Sequence, residues 1–253
     1  MSATLKKLQD YKPSDFSVTE MSLTFDIQEN KVIVSSDIFL IKNNQKAYHL
    51  HLDGDDLKII EIKIDNQVLD ENEYTYNNGT LKLVIDKSRC SIQTTVEINP
   101  YRNTKLEGLY ASKTGLFTQC EAEGFRNITF FLDRPDVMAK YKTKIIADRK
   151  KFPVLLANGN LCSEGSLDDG KHWKTYVDPF PKPSYLFALV AAKLEHIRDS
   201  FKTKSGKVVE LLIFVEPGKL HLTSFAMESL KNSIKWDEDV YDLELDLEQY
   251  KIV

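Results

Sequence analysis

Apolar residues recur at every second position through much of the first half of this chain, and this alternation constrains the fold more than any other feature. Leu23, Phe25 and Ile27 share one side of a predicted strand. In the next run, five residues occupy every second position in the same way: Val32, Val34, Ser36, Ile38 and Leu40. Because successive side chains of a strand point to opposite faces, this pattern is typical of strands with one buried and one hydrated face. The sequence therefore predicts a mainly β fold.

Turn residues separate the predicted strands at short intervals. The pair Asn78-Gly79 lies between two alternating runs, and both residues accept the positive φ angles that a two-residue hairpin turn requires. Ser205-Gly206 predicts a second hairpin between residues 200–204 and 207–215. Other strands are predicted over residues 60–64, 94–98, 128–132, 141–147, 154–157, 171–177 and 185–194. These short strands predict a β-sandwich or an open antiparallel assembly for residues 1 to about 193.

Two segments interrupt the alternation. Residues 178–183 hold three prolines, which predicts a stiff connector without regular strand pairing. After residue 218, Leu222, Ala226, Leu230 and Ile234 recur every four residues, with Phe225 and Ser229 beside them, so an amphipathic helix is predicted over about residues 220–238. Leucines at 243, 245 and 247 alternate again, and residues 250–253 are predicted to form a strand. One helix and a few strands do not make a domain, so we expect residues 194–253 to begin a second domain and the chain to be a fragment.

Bulk composition excludes several classes of protein. The chain has 34 basic and 38 acidic residues, and this balance gives no basic excess for nucleic-acid binding. No apolar run approaches the roughly 18 residues of a membrane helix, and the polar residues 1–10 lack the apolar middle of a signal peptide. Cys90, Cys120 and Cys162 are far apart and odd in number, which favours reduced thiols. We expect a soluble cytoplasmic protein without nucleic-acid or membrane partners.

The common catalytic signatures are missing. No two of the five histidines are spaced as in H-E-x-x-H, and the sequence has no G-x-S-x-G, no G-x-x-x-x-G-K and no G-x-G-x-x-G. His49 and His51 would share one face of a strand and could touch a metal, although a hydrated strand face is the favoured interpretation. We therefore expect no zinc site of the H-E-x-x-H type, and the resemblance described below implies that this chain has no catalytic residue and binds no metal itself.

One segment carries unusual chemistry. If residues 118–126 are extended, Gln119, Glu121 and Glu123 lie on one face, and carboxylates grouped like this could bind an ammonium group or act as acid and base. The alternative is a hydrated strand end paired with Arg126. Cys120 is a weaker candidate, because no nearby histidine or helix start would lower its pKa. Residues 133–136 are interpreted as a turn with a local salt bridge.

Six segments resemble the bacterial aminopeptidase N (alanyl aminopeptidase) family, zinc metallopeptidases of the gluzincin type. They occur in order through essentially the whole chain, at residues 106–110, 117–126, 131–137, 156–160, 178–183 and 229–238. The resemblance implies an N-terminal β-saddle domain over residues 1–193. It also implies that residues 194–253, with strands and one helix, begin a thermolysin-like α/β catalytic domain.

The resemblance also implies where the metal would be. The family's G-A-M-E-N loop and H-E-x-x-H zinc helix would follow Val253, so the zinc of the parent enzyme would have no ligand in this chain. We therefore expect the isolated chain to be inactive. Residues 226–228 have the sequence Ala-Met-Glu but are not the G-A-M-E-N loop, because Ser229 follows where asparagine is required.

Within the saddle domain, the resemblance implies that two side chains reach the active site. Glu121 would bind the α-ammonium group of peptide substrates with free N-termini, and Gln119 would be an acceptor and a wall of the first subsite. The remainder of the same polypeptide would be the other partner. The alternative is a stand-alone β-rich module that binds peptides or proteins without catalysis. A relative with added epoxide-hydrolase activity ranks lower, because residues 120–123 and 132–135 look more like the bacterial aminopeptidases.

Overall fold

A computed structural model describes residues 7–253, which form eighteen strands, one α-helix and five short 3-10 helices. The strands of the first half are β1 (Phe16–Ile27), β2 (Val32–Lys42), β3 (His49–Asp53), β4 (Lys58–Ile64), β5 (Gln67–Val68), β6 (Tyr74–Asn77), β7 (Thr80–Val84), β8 (Arg89–Ile98), β9 (Gly108–Ser112) and β10 (Gly115–Gln119). The later strands are β11 (Met138–Asp148), β12 (Val154–Ala157), β13 (Asn160–Ser166), β14 (Lys171–Pro183), β15 (Leu189–Ala192), β16 (Glu195–Lys202), β17 (Val208–Val215) and β18 (Gln249–Ile252). The α-helix is α1 (Ser224–Tyr241), and the 3-10 helices are Leu8–Asp10, Pro100–Arg102, Phe125–Asn127, Ser184–Leu186 and Leu220–Leu222.

The largest sheet has eight strands in the order β13-β14-β11-β1-β2-β8-β4-β5. Neighbouring strands are antiparallel except for β1 and β11, which are parallel. The predicted mainly β, antiparallel fold class is therefore confirmed, and β1 and β11 are the one parallel pair of this sheet. Parallel neighbours need a long connection, and here all of β2 to β10 lies between the two strands.

Two smaller sheets, β12-β15-β10-β9 and β3-β7-β6, share one hydrophobic core with the large sheet. The alternating residues predicted to face inward on β1 and β2 are all buried, including the polar Ser36. Ser36 is tolerated there because its hydroxyl is hydrogen-bonded to that of Thr94 at 2.8 Å. The Asn78-Gly79 hairpin is also confirmed, with φ angles of 48° and 73°.

The strand predicted over residues 60–64 is confirmed as part of β4, but Ile60 does not lie on its buried face. Ile60 is 51% exposed, whereas Ile62 is buried. The register of β4 against β8 shifts between Ile59 and Glu61, so Ile60 lies at a β-bulge and is left out of the alternation. A bulge inserts one extra residue, which simple two-residue counting does not detect.

The strand predicted over residues 128–132 is wrong. The chain there is irregular after the short helix Phe125–Asn127, and Phe131 makes only an isolated bridge with Asp53. All five residues of the segment are buried, so the run shows no alternation. A short apolar run of this kind gives no periodicity from which to choose its conformation.

The stiff connector predicted over residues 178–183 is also wrong, because these residues complete β14. The register against β11 jumps from Asp178 to Lys182, so Pro179 and Pro181 lie inside an irregularity. Beyond Val177, β14 has no partner on its β13 side. Proline is tolerated at such edges because the ladder does not require its missing N–H. The strand predicted over residues 185–194 is reduced to β15.

A second, smaller core lies between α1 and the sheet β16-β17-β18. The helix is confirmed, but its buried stripe consists of Met227, Leu230 and Ile234, while Leu222 and Phe225 are exposed. Ala226, Leu230 and Ile234 of the predicted series pack on this core, whereas Leu222 belongs to the preceding 3-10 helix and lies outside the stripe. Residues 243–247 form no strand, and β18 begins only at Gln249.

The two cores meet through a small cluster in which Leu156 packs with Leu212 and Phe214. The predicted domain boundary at residue 193 falls in the two-residue link between β15 and β16 and stays a prediction. No helix among residues 7–253 has the length and apolarity of a membrane span. The polar start predicted over residues 1–10 lies outside the described residues for its first six positions.

Two buried tyrosines allow a matched test of this core. The Tyr176 hydroxyl donates to the carbonyl oxygen of Leu155 at 2.7 Å, whereas the Tyr141 hydroxyl has no hydrogen-bond partner within residues 7–253. Both residues are 2% exposed. We expect Tyr176→Phe to lower the free energy of unfolding by about 1–2 kcal/mol, because a buried acceptor loses its donor. We expect Tyr141→Phe to leave it unchanged or to raise it slightly.

Urea unfolding of the two variants and the parent chain, followed by tryptophan fluorescence, measures these differences. An equal loss of stability in both variants would show that the Tyr141 hydroxyl has a partner that the structure does not assign.

Candidate functional site

Residues 120–124 form a turn directly after β10. Cys120 and Phe125 are buried at its two ends, while Glu121 and Glu123 are exposed. The peptide bond between Glu121 and Ala122 is cis. Residues 121–124 are a turn and not a strand, so the extended run on which Gln119, Glu121 and Glu123 would share one face does not form.

Gly124 closes this turn. Its N–H donates to the carbonyl oxygen of Cys120 at 2.8 Å. A Cβ atom at position 124 would lie 2.5 Å from the carbonyl oxygen of Gln119 and 3.0 Å from the backbone nitrogen of Gly108. Both are backbone atoms that cannot move aside independently, so this close approach requires glycine.

Arg126 lies just beyond the turn and is surrounded by three carboxylates, which we call the Arg126 cluster: Arg126, Asp53, Glu123 and Asp133. The Nε atom of Arg126 donates to Asp133 Oδ2 at 3.0 Å, and one terminal nitrogen lies 3.5 Å from Glu123 Oε2 and 3.9 Å from Asp53 Oδ1. The Asp133 side chain is only 1% exposed. The cluster therefore combines one deeply buried ion pair with two more exposed carboxylates.

The buried carboxylate of Asp133 is held by several donors. Its Oδ2 atom also accepts from the backbone N–H of Arg126 at 3.2 Å, and its Oδ1 atom accepts from the Ser184 hydroxyl at 2.5 Å. The backbone N–H of Asp133 donates to Asp53 Oδ2 at 3.1 Å. These bonds satisfy a charge that would otherwise be costly to bury.

The cluster lies where three sheets end. Asp53 is the last residue of β3, Ser184 directly follows β14, and the turn directly follows β10. Each of these strands belongs to a different sheet. The Arg126 cluster therefore fixes the turn relative to the whole β framework.

The electrostatics of the cluster favour a cation nearby. Burial raises the pKa of Asp53, with the negative charges of Asp133 and Glu123 adding to this effect and Arg126 opposing it. Although burial opposes the charge on Arg126, its hydrogen bond with Asp133 and the surrounding carboxylates raise its pKa. Three carboxylates share one guanidinium, so negative charge exceeds positive charge around the turn.

The two glutamates of the turn differ in their partners. Glu123 is paired with Arg126, so the alternative interpretation of a carboxylate paired with this arginine holds for Glu123. None of the ion pairs among residues 7–253 includes Glu121, whose side chain projects into solvent. Gln119 supports this arrangement, because its amide nitrogen donates to the backbone carbonyl oxygen of Glu121 at 3.1 Å. The turn therefore presents one unpaired carboxylate.

The inner part of this site was not predicted from the sequence. Residues 133–136 do contain the predicted local salt bridge, between Arg134 and Asp136 at 2.7 Å. Asp133, however, turns inward to Arg126, and neither Asp53 nor Ser184 was identified. One signal was available: Asp133 directly follows three consecutive apolar residues, which places its backbone at the edge of the core.

Other candidate groups do not join the site. Cys120 is buried, and burial together with the charge of Asp133 raises the pKa of its thiol, which disfavours the reactive thiolate. Cys90, Cys120 and Cys162 are all free thiols, as predicted. His49 and His51 are exposed on one face of β3. Among residues 7–253, no three His, Cys, Asp or Glu side chains are grouped so that they could hold a metal ion, so these residues do not fit a zinc site.

Comparison with known proteins agrees with the β architecture and with the segments identified in the sequence. Residues 11–186 match the family described as the Peptidase M1 N-terminal domain. The chain is 45% identical over 248 residues to aminopeptidase N of Escherichia coli, a match covering 98% of this chain and 28% of that protein. It is 46% identical over 255 residues to aminopeptidase N of Haemophilus influenzae, covering 100% of this chain and 29% of that protein.

A solved structure is similar over nearly the whole chain. Aminopeptidase A of Legionella pneumophila, in complex with aspartic acid, superposes with a TM-score of 0.93 at 35% identity, covering 97% of this chain and 29% of that protein. The chain thus spans less than a third of the length of these relatives. The resemblance to the bacterial aminopeptidase N family is confirmed, and the chain belongs to the Peptidase M1 N-terminal domain family.

Proposed function

We propose that this chain is the substrate-amine-binding part of a zinc metalloaminopeptidase that removes N-terminal amino acids from peptides. In this proposal, Glu121 binds the α-ammonium group, and Gln119 lines the first subsite. The observation that carries the proposal is the exposed Glu121 carboxylate, which takes part in no ion pair among residues 7–253, on a turn whose other acidic side chain, Glu123, is paired with Arg126. The family match and the names of the relatives support the reaction class.

The physical basis is charge recognition. A hydrogen bond between a carboxylate and an ammonium group contributes about 1.5–3 kcal/mol, more than a neutral hydrogen bond. A bound substrate with a blocked amine would cover Glu121 without supplying a cation, so such substrates would be rejected. The Gln119 side chain restrains the backbone of Glu121 by its hydrogen bond and keeps its amide oxygen available as an acceptor.

Hydrolysis itself is assigned to polypeptide other than this chain. The residues described here do not fit a zinc site, so we derive no catalytic step from them. When bound, zinc would supply a polarised water as nucleophile. The match to only 28–29% of the relatives' length supports a longer enzyme that includes the remaining machinery.

The surface of the second unit supports the same proposal. Phe225 is 77% exposed, and Trp236 and Val240 are more than half exposed on the same side of α1. Grouped apolar side chains of this kind mark an interaction surface. The partner proposed for them is the rest of the same polypeptide. A cytoplasmic location is part of the proposal and is in keeping with the three free thiols.

The first test replaces Glu121 in the complete enzyme that contains this chain. We expect Glu121→Gln to raise KM and to lower kcat/KM for aminoacyl anilides about tenfold to a hundredfold, because one charge-assisted bond is lost. Steady-state kinetics provide the measurement. Glu71→Gln, at an exposed glutamate far along the chain from the turn, is the matched control and should change neither constant. Unchanged kinetics in Glu121→Gln would remove this residue from the site.

The second test uses the 253-residue chain alone. We expect it to retain no stoichiometric zinc after dialysis and to leave an aminoacyl anilide intact, because its residues do not fit a zinc site. Atomic absorption and a chromogenic assay measure the two properties, with the complete enzyme as positive control. Robust turnover by the purified chain would overturn the assignment of hydrolysis to other polypeptide.

A further inference from the structure

Two exposed carboxylates lie two residues apart on the same turn, and either could bind an ammonium group. We infer that Arg126 is a positioning residue that holds Glu123 away from the substrate and so leaves Glu121 as the single amine-binding carboxylate of this turn. This inference rests on the proposed function and adds the element that chooses between the two glutamates.

The geometry gives Arg126 little freedom. Its backbone N–H and Nε both donate to Asp133 Oδ2, and a terminal nitrogen donates to the Asp133 carbonyl oxygen at 3.2 Å. Ser184 and Asp53 hold Asp133 in turn. With its inner side fixed by these bonds, the guanidinium presents its other terminal nitrogen to Glu123 at 3.5 Å.

The exposed fractions of the side chains show that Arg126 is held in place and that Glu123 is a surface group. The side chain of Arg126 is 19% exposed and that of Asp133 is 1% exposed, whereas the Glu123 side chain is 64% exposed. Arg126 is thus part of the rigid framework, and Glu123 is a surface group attracted to it. The sequence separation of three residues brings Glu123 within reach of Arg126, whereas none of the ion pairs among residues 7–253 involves Glu121.

Release of Glu123 would create a competing binding mode. An ammonium group held by Glu123 would place the peptide at a different depth from one held by Glu121, because the two side chains leave the turn at different points. Binding in the wrong position lowers kcat and KM together and leaves kcat/KM nearly unchanged. Loss of Glu121 has a different signature, since it raises KM.

The experiment uses the complete enzyme with an aminoacyl anilide and compares Glu123→Gln, Arg126→Gln and the double variant that combines them. We expect Glu123→Gln to change kcat and KM by less than about twofold. We expect Arg126→Gln to lower both constants about three- to tenfold, the effect of one partly exposed ion pair. The double variant should recover kcat to within about twofold of the parent, because no second carboxylate remains to compete.

A merely structural role for Arg126 would not give this recovery, because removing Glu123 restores neither of the hydrogen bonds that the Arg126 side chain donates to Asp133. A folded Arg126→Gln variant that the second substitution fails to rescue would therefore overturn the inference. Thermal unfolding by circular dichroism establishes that each variant is folded.

Arg126→Gln also leaves Asp133 buried without its cation, which is costly. If this variant does not fold, Glu121→Gln combined with Glu123→Gln decides the question. We expect this double variant to have the same kcat and KM as Glu121→Gln alone, because Arg126 already keeps Glu123 from binding the substrate. A further rise in KM of threefold or more would show that Glu123 binds substrate and would overturn the inference. Unchanged kinetics in Glu121→Gln alone would instead refute the proposed function.

Discussion

The buried ion pair between Arg126 and Asp133 is the interaction on which the arrangement of the site depends. A carboxylate with 1% exposure is stable only if its charge is compensated and its oxygens accept hydrogen bonds. Arg126 and Ser184 meet this requirement, and Asp53 accepts from the backbone of the same residue. Because these groups come from the ends of strands in three sheets, one electrostatic requirement fixes the relative positions of those ends.

The aromatic core beneath the turn provides the second support. Phe125, the first residue after the turn, packs edge-on against Phe131, Tyr141 and Phe187, with ring centroids 5.2–6.3 Å apart. Such packing adds stabilisation to that of the buried apolar area. The end of the turn is therefore anchored by apolar packing and by an ion pair, while Glu121 remains exposed. A binding group held on a rigid base loses little conformational entropy when a ligand binds.

Charge balance explains how a strongly acidic site can remain selective. Four carboxylates lie on or near the turn, but three of them share Arg126 and one does not. A cation that approaches the turn meets an excess of negative charge, which favours its binding. In the proposed function, the position of that cation is then decided by Glu121, which takes part in no ion pair among residues 7–253. In the proposed function, the Arg126 cluster supplies the negative charge that attracts a cation. Glu121 supplies the single group that binds it.

Much of the fold could be predicted from the sequence because its signals are local. Two-residue alternation identified β1 and β2, and Asn78-Gly79 identified a hairpin, since each pattern depends on neighbouring residues alone. The candidate pair Gln119 and Glu121 came from resemblance to a family. The bulge at Ile60, the pairing of β1 with β11 and the burial of Asp133 were decided only in the tertiary structure. Each depends on residues far apart in the chain, and a buried charge can choose its partner only after the sheets that enclose it have formed.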